Sequence, residues 1–286
     1  MKHKKQLLKL EALAMAGVVS LSSAVPALAE GTEKLYTSAY GSKQEAIQAG
    51  LDLNEKISEE GMILFKNVEG TLPLAEGAKV TLLGYSALHP SAGGSHNVAD
   101  ASGGVAIAQS TVISSLEAAG FSLNQHVLDS YTKWETEVVP GTEDAETPLM
   151  KTSDVLVAED FGAASESEEW KASLEEYSDA ALVVINGGTG EVGPEGRVHS
   201  LQLDQVQFDL IDYAAANFDK VVVLVNSCIP LEIKAIQENE AVDAVLNIGE
   251  AGDNGFDALG KILKGEISPS GRTVDTWAAD FTKNPS

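Results

Sequence analysis

The sequence predicts an α/β protein: an open, mainly parallel sheet flanked by helices, a three-layer α/β sandwich. Three observations carry that reading. Lys220 to Val225 (KVVVLV) and Leu182 to Ile185 are near-continuous apolar runs, the pattern of strands covered on both faces. Between such runs lie stretches with apolar residues at helical spacing, so strands and helices alternate along the chain. Two of the strands are followed by long glycine-rich loops, and ligands usually sit outside the carboxyl ends of strands in such sheets.

With 286 residues, 44% of them hydrophobic, the chain can bury a full core. Lys2, His3, Lys4 and Lys5 form a basic head, Leu13 to Val25 is an apolar run of small residues, and Ala27-Leu28-Ala29 is a small-x-small cleavage site. Residues 1–29 therefore read as a secretory signal peptide, and the mature product is expected to be secreted, extracellular or at the cell surface. No other stretch approaches the ~20 apolar residues of a membrane span, so no membrane association is expected after cleavage. The net charge of -24 repels phosphate polymers, which argues against nucleic acid as a partner, whereas neutral substrates such as sugars are not penalised. Cys228 is the sole cysteine, so there is no intrachain disulfide and the core must supply the stability; Cys228 itself reads as a small packed side chain after a buried strand.

Residues 30–41 read as a flexible leading segment. Ser42 and Glu45 are spaced as a capping box, and helical periodicity runs through Ile47, Leu51, Leu53 and Ile57 to Ile63 and Leu64, with Gly61 as a weak point that leaves one long helix or two shorter ones open. Leu72-Pro73-Leu74 is an extended turn. Lys79 to Leu83 (KVTLL) is a short strand, and Gly84 begins a long loop. Helical pattern returns at Ile107 to Ala119 with Gly120 as a stop, and again over 125–138. Residues 139–168 are acidic and low in pattern, too long for a tight connection. Trp170 to Tyr177 is a short helix leading into the 181–186 strand. Asp204 and Gln207 form an N-cap pair for a helix to Asn217. The 220–225 strand, a further strand at Val242 to Ile248, a turn at Gly249 to Gly255 and a helix from Phe256 to Leu263 complete the order. The remainder, including Pro269-Ser270-Gly271-Arg272, is polar and turn-rich, and that turn reads as structural.

The stretch with the richest chemistry is ALVVINGGTGEVGPEGRVHSLQL, 181–203, where a buried strand breaks into a loop carrying Glu191, Glu195 and Arg197. Glycines let the backbone approach a ligand closely and the two carboxylates offer proton transfer. Other site types are missing: there is no G-x-x-x-x-G-K-[ST] and no G-x-S-x-G, and His89, His96, His126 and His199 have neither an H-E-x-x-H frame nor a cysteine partner. No cofactor and no metal are expected. The simpler reading of the histidines is solvent-facing polar residues, and that of Trp134, Trp170 and Trp277 is partial core packing rather than stacking on sugars.

The motifs EEGMILFKN…TLPL (59–74), KVTLLGYSALHPSAGG (79–94), SLEAAGF (115–121), ALVVINGGTGEVGPEGR (181–197), LQLDQVQ (201–207), KVVVLVNSCIPLEI (220–233) and VDAVLNIGEAGDNGFDALGKILKGEISPSGRTVDTW (242–277) occur in sequence. Together they resemble the α/β-sandwich domain of glycoside hydrolase family 3, the β-glucosidase-type enzymes. On that resemblance residues 42–277 are the domain, and residues 278–286 are a linker stub toward a (β/α)8 barrel in cis or trans. The barrel supplies an Asp nucleophile, while the Glu of a Gly-Glu loop in this domain is the acid/base. The resemblance puts that role on Glu191, with Glu195 as the fallback, and puts Glu195, Arg197 and His96 near the substrate, a β-glucoside or oligosaccharide. Val192 follows Glu191 where a glycine is usual, and GGSHNVADASGG replaces the family's more glycine-rich loop after the first strand. Retaining hydrolysis needs two carboxyl groups about 5–5.5 Å apart, one ionised and one protonated. The isolated chain is therefore expected to be inactive. A non-catalytic carbohydrate-binding or interaction module of the same fold is the alternative.

Overall fold

The computed structural model describes residues 38–92, 110–138, 167–186 and 201–283, with the backbone alone over 134–138. The proposed signal peptide, the acidic 139–166 stretch and most of the two glycine-rich loops lie outside the described residues. The chain divides into two compact units, Met1–Ala46 and Ile47–Ser286. Within the first, Glu45 N–H donates to Ser42 Oγ at 3.1 Å, and the Glu45 carboxylate accepts from Gly41 N–H at 2.8 Å. This is a capping box shifted by one residue, and it opens helix α1, Lys43–Gly61.

The second unit is a sheet with helices on both faces. Its strands are β1 (Ile63–Asn67), β2 (Lys79–Leu83), β3 (Ser122–Leu123), β4 (Ala180–Asn186), β5 (Val221–Asn226) and β6 (Ala244–Asn247). They form one six-stranded sheet in the order β1-β6-β5-β4-β2-β3. Every neighbouring pair is parallel except β1 with β6. The helices after α1 are α2 (Val112–Ala118), α3 (Gln125–Val138), α4 (Glu168–Glu176), α5 (Gln205–Asn217), α6 (Lys234–Glu238) and α7 (Asp257–Leu263).

Every residue of β5 is buried, as is all of β4 but Asn186, so helices must cover both faces. Side chains alternate between two cores at the period of a strand. Leu82, Leu182, Val184, Val222, Leu224 and Leu246 pack with Val112, Leu116, Leu259 and Ile262 from α2 and α7. Leu83, Val183, Ile185, Val223, Val225 and Val245 pack with Val127, Trp170, Ile211 and Ile236 from α3 to α6. Each such aliphatic side chain contributes about 1.5–3 kcal/mol. A buried polar relay crosses the second layer: Asn124 Nδ2 donates to Thr81 Oγ1 and to Ser173 Oγ, each at 3.1 Å, and Thr81 Oγ1 donates to Tyr177 O at 3.0 Å. Trp170, 1% exposed, belongs to the core as expected, its indole N–H bonded to Tyr213 Oη at 2.8 Å.

Several sequence expectations need correction. Helical periodicity does not continue to Leu64: α1 stops at Gly61, and Ile63–Asn67 is the antiparallel edge strand β1. The backbone there takes its hydrogen bonds from β6, a long-range partner that local spacing does not reveal. Cys228 is exposed rather than packed, because β5 ends two residues earlier. His89 is half-buried with its ring 4.8 Å from Tyr85, not simply solvent-facing. β3 and α6 were not anticipated; two and five residues are too few to show a period. In the Pro269–Arg272 turn, glycine answers to close approach: a Cβ on Gly271 would stand 2.2 Å from Gly61 O, and Gly271 N–H donates to Met62 O at 3.1 Å.

Helices α1 and α7 are clamped electrostatically. Lys261 bonds the carboxylates of Glu55 and Glu59, the latter at 3.1 Å, and Asp257 lies on the same helix. Burial raises the Asp257 carboxyl above its usual 3.8, the charge of Glu55 raises it further, and Lys261 opposes both. A carboxyl that holds its proton more tightly when folded favours the native state at low pH. That favour is lost as pH rises from about 3.8 through the raised native value. Asp257→Asn is therefore expected to raise the melting temperature near neutral pH and to have little effect below the carboxylate range, as read by thermal denaturation across pH.

Gly84, directly after β2, has φ 102°, and a Cβ there would stand 2.5 Å from the carbonyl oxygen of Val184. Gly84→Ala is expected to cost at least about 1–3 kcal/mol in urea denaturation, from backbone strain before any clash is counted.

Candidate active site at the carboxyl edge of the sheet

From β2 the chain moves outward through α2 to β3. It then returns through α3 and α4 to β4 on the other side of β2, and steps on to β5 and β6. The direction of winding thus reverses between β2 and β4. Parallel strands that diverge at such a point leave a crevice outside their carboxyl ends, where ligands of open α/β sheets bind. The two glycine-rich loops singled out in the sequence leave from these strand ends: one follows Leu83 at the end of β2, the other Asn186 at the end of β4. Glu191, Glu195, Arg197 and His96 are carried on those loops and lie outside the described residues.

The described floor of the crevice is built from backbone anchors. Gly84 N–H donates to Tyr131 Oη at 2.9 Å, tying the start of the β2 loop to α3. Tyr131 is 3% exposed, and burial drives its hydroxyl pKa well above the ordinary value, so it stays neutral and acts as a positioning group. At the end of β4, Gln207 Nε2 donates to Asn186 O at 2.9 Å while Gln207 Oε1 accepts from Asp204 N–H at 3.0 Å. The capping box read in the sequence thereby locks the first turn of α5 onto the strand from which the Glu191 loop departs.

A feature that the sequence reading missed is a row of asparagines. β4, β5 and β6 end as VVIN, VLVN and AVLN, which places Asn186 opposite Asn226 and Asn247 opposite Val225. Asn226 is fully buried. Its Nδ2 donates to Ser91 O at 2.9 Å and to Gly249 O at 2.6 Å, and its Oδ1 accepts from Ser91 N–H at 2.6 Å. One carboxamide therefore staples the β2 loop, the end of β5 and the turn after β6. Ser91 Oγ adds a bond to Glu250 Oε1 at 2.9 Å, which puts a partly buried carboxylate on the same edge, and Gly252 N–H donates to Ala92 O at 2.7 Å. The signal for this was available in the repeated terminal Asn of three apolar runs. Its meaning was not, because the bonded partners are 135 and 23 residues away.

Residues 62–286 match the model of the glycosyl hydrolase family 3 C-terminal domain. The chain belongs to this family. Among curated relatives, a β-glucosidase of Ruminococcus albus is 28% identical over 259 residues, 82% of this chain and 24% of the relative. β-Glucosidase A of Butyrivibrio fibrisolvens is 23% identical over 271 residues, 86% of this chain and 31% of the relative. In fold, this family 3 domain is similar to β-glucosidase 3B of Thermotoga neapolitana, solved with glucose, at a TM-score of 0.64 and 21% identity over 84% of this chain and 32% of that one. The chain thus spans a quarter to a third of the length of these relatives. The three-layer sandwich expected from the sequence, and the family resemblance, both hold. Among the described residues no helix is long and apolar enough to cross a membrane.

Asn226→Asp tests the staple. A carboxylate accepts only, so the Ser91 and Gly249 carbonyls would each lose a donor. The substitution is expected to destabilise the domain by on the order of 3 kcal/mol in chemical denaturation. Faster amide exchange at Ser91 should accompany it.

Proposed function

We propose that this family 3 domain is the acid/base-bearing part of an exported β-glucosidase-like glycoside hydrolase. Glu191 acts as proton donor to the leaving oxygen and then as base toward water. The observation that carries this reading is the winding reversal between β2 and β4. It brings the loop bearing Glu191, Glu195 and Arg197 and the loop bearing His96 out from neighbouring strand ends. A neutral sugar suits this chain better than a phosphate, given its net charge of -24.

Chemistry divides the labour. Glycoside hydrolysis with retention needs a nucleophilic carboxylate and a separate protonated carboxyl across the scissile bond. This chain contributes the second, and a (β/α)8 barrel, implied by the family resemblance, contributes the first. Proximity of an ionised nucleophile favours the protonated form of its partner carboxyl, which is why such chemistry uses two carboxyl groups in unlike environments. Glu195, Arg197 and His96 are assigned to contacts with the substrate. Export is supported by the basic head, the apolar run and the Ala27-Leu28-Ala29 site.

The test pairs this chain with a family 3 barrel and follows aryl β-glucoside cleavage. Glu191→Gln is expected to lower kcat/KM about 10²–10⁴-fold for a glucoside with a poor leaving group. A dinitrophenyl glucoside, whose leaving group departs without protonation, should lose far less. An unchanged kcat/KM for both substrates would overturn the assignment, and the same loss in Glu195→Gln instead would move the role to that residue.

A further inference from the structure

The segment after α7 does not close the sheet. It crosses the β1 edge as an extended wall, tied at both ends. Gly271 N–H donates to Met62 O at 3.1 Å, and Phe281 N–H donates to Glu232 Oε1 at 2.7 Å. Between these ties Trp277 packs on Phe65 of β1, ring centroids 5.0 Å apart and tilted by 50°. Val274 is 98% exposed. Beneath lies a groove of about 590 Å³ lined by Phe65, Ile233, Gln237, Asp275, Thr276 and Trp277, among others. That volume falls within the ~300–1,000 Å³ of ordinary small-molecule sites.

We propose that this groove is a second carbohydrate-binding surface, which takes a neutral pyranoside through stacking on Trp277 and hydroxyl contacts to Gln237 and Asp275. The chemistry of this groove is independent of the acid/base assignment to Glu191. A half-buried indole braced by Phe65 offers an apolar plate for the C–H face of a sugar ring at little entropic cost, since its rotamer is already set by packing. Around the plate stand a carboxamide, which both donates and accepts, a carboxylate, which accepts from paired hydroxyls, and threonine hydroxyls. Among the described residues, the side chains of Gln237, Asp275 and Thr276 have no hydrogen-bond partner, so their capacity is available to a ligand. Asp275 is the ionisable group in the lining and no cation faces it there, so uronates, sulfates and phosphates are repelled. The groove rests on β1, α6 and the 273–277 segment, whereas the catalytic loops leave from β2 and β4. Occupancy of one site therefore does not require the other.

The experiment titrates the full chain with cellobiose and with methyl β-glucoside while the side-chain N–H signals of its tryptophans are followed by NMR. The expected result is a saturable shift of the Trp277 indole with a dissociation constant on the order of 1 mM. Methyl β-glucuronide should give none. Trp277→Ala, which removes that reporter, should abolish the heat of cellobiose binding in isothermal titration calorimetry. Because that change also removes a packing partner of Phe65, Asp275→Ala and Gln237→Ala provide the independent test: each should weaken binding about fivefold with an unchanged melting temperature. Glu191→Gln should bind as the parent does. No shift at tens of millimolar cellobiose would overturn the proposal. So would binding unaffected by Asp275→Ala and Gln237→Ala, equal binding of the glucuronide, or loss of the shift in Glu191→Gln, which would mean that the sugar was being read at the catalytic edge.

Discussion

The structure depends on one constraint: β4 and β5 run side by side through the centre of the sheet with apolar side chains pointing both ways. Neither strand has a face that can meet water, so both faces must be covered by helix. That requirement dictates the crossover helices, the two segregated cores and the relegation of polar residues to the strand ends. It also explains the tight apposition at Gly84, where the chain leaves β2 directly over the backbone of β4 and no side chain can be accommodated.

Polar groups at the carboxyl edge are organised to hold backbone rather than to react. Asn226 and Gln207 satisfy main-chain groups of loops that have no regular partner, and the Tyr131 hydroxyl takes the first N–H after β2. Buried amide and hydroxyl groups are tolerated there because each is hydrogen-bonded, and the same bonds restrict how the glycine-rich loops can depart.

The edge formed by β1 has a different logic. An exposed antiparallel edge strand offers unpaired backbone to any passing strand, and here the extended segment around Gly271 and Trp277 lies across its start. Covering the edge with an irregular segment rather than a further strand leaves a groove between them. The aromatic and polar lining of that groove is the basis of the second binding surface.

How much of this was legible in the sequence follows from the range of the interactions. Strand cores such as KVVVLV and ALVVIN, the α5 cap at Asp204 and Gln207 and the stop at Gly120 are local patterns, and composition and spacing alone determined them; the family came through the resemblance of its motifs. The strand order, the winding reversal between β2 and β4, the conversion of Ile63–Asn67 from apparent helix to edge strand, and the roles of Asn226, Gly271 and Lys261 were decided only by tertiary structure. In each of these cases the partner lies far along the chain, and the free energy of that distant contact outweighs the local preference that a sequence window can display.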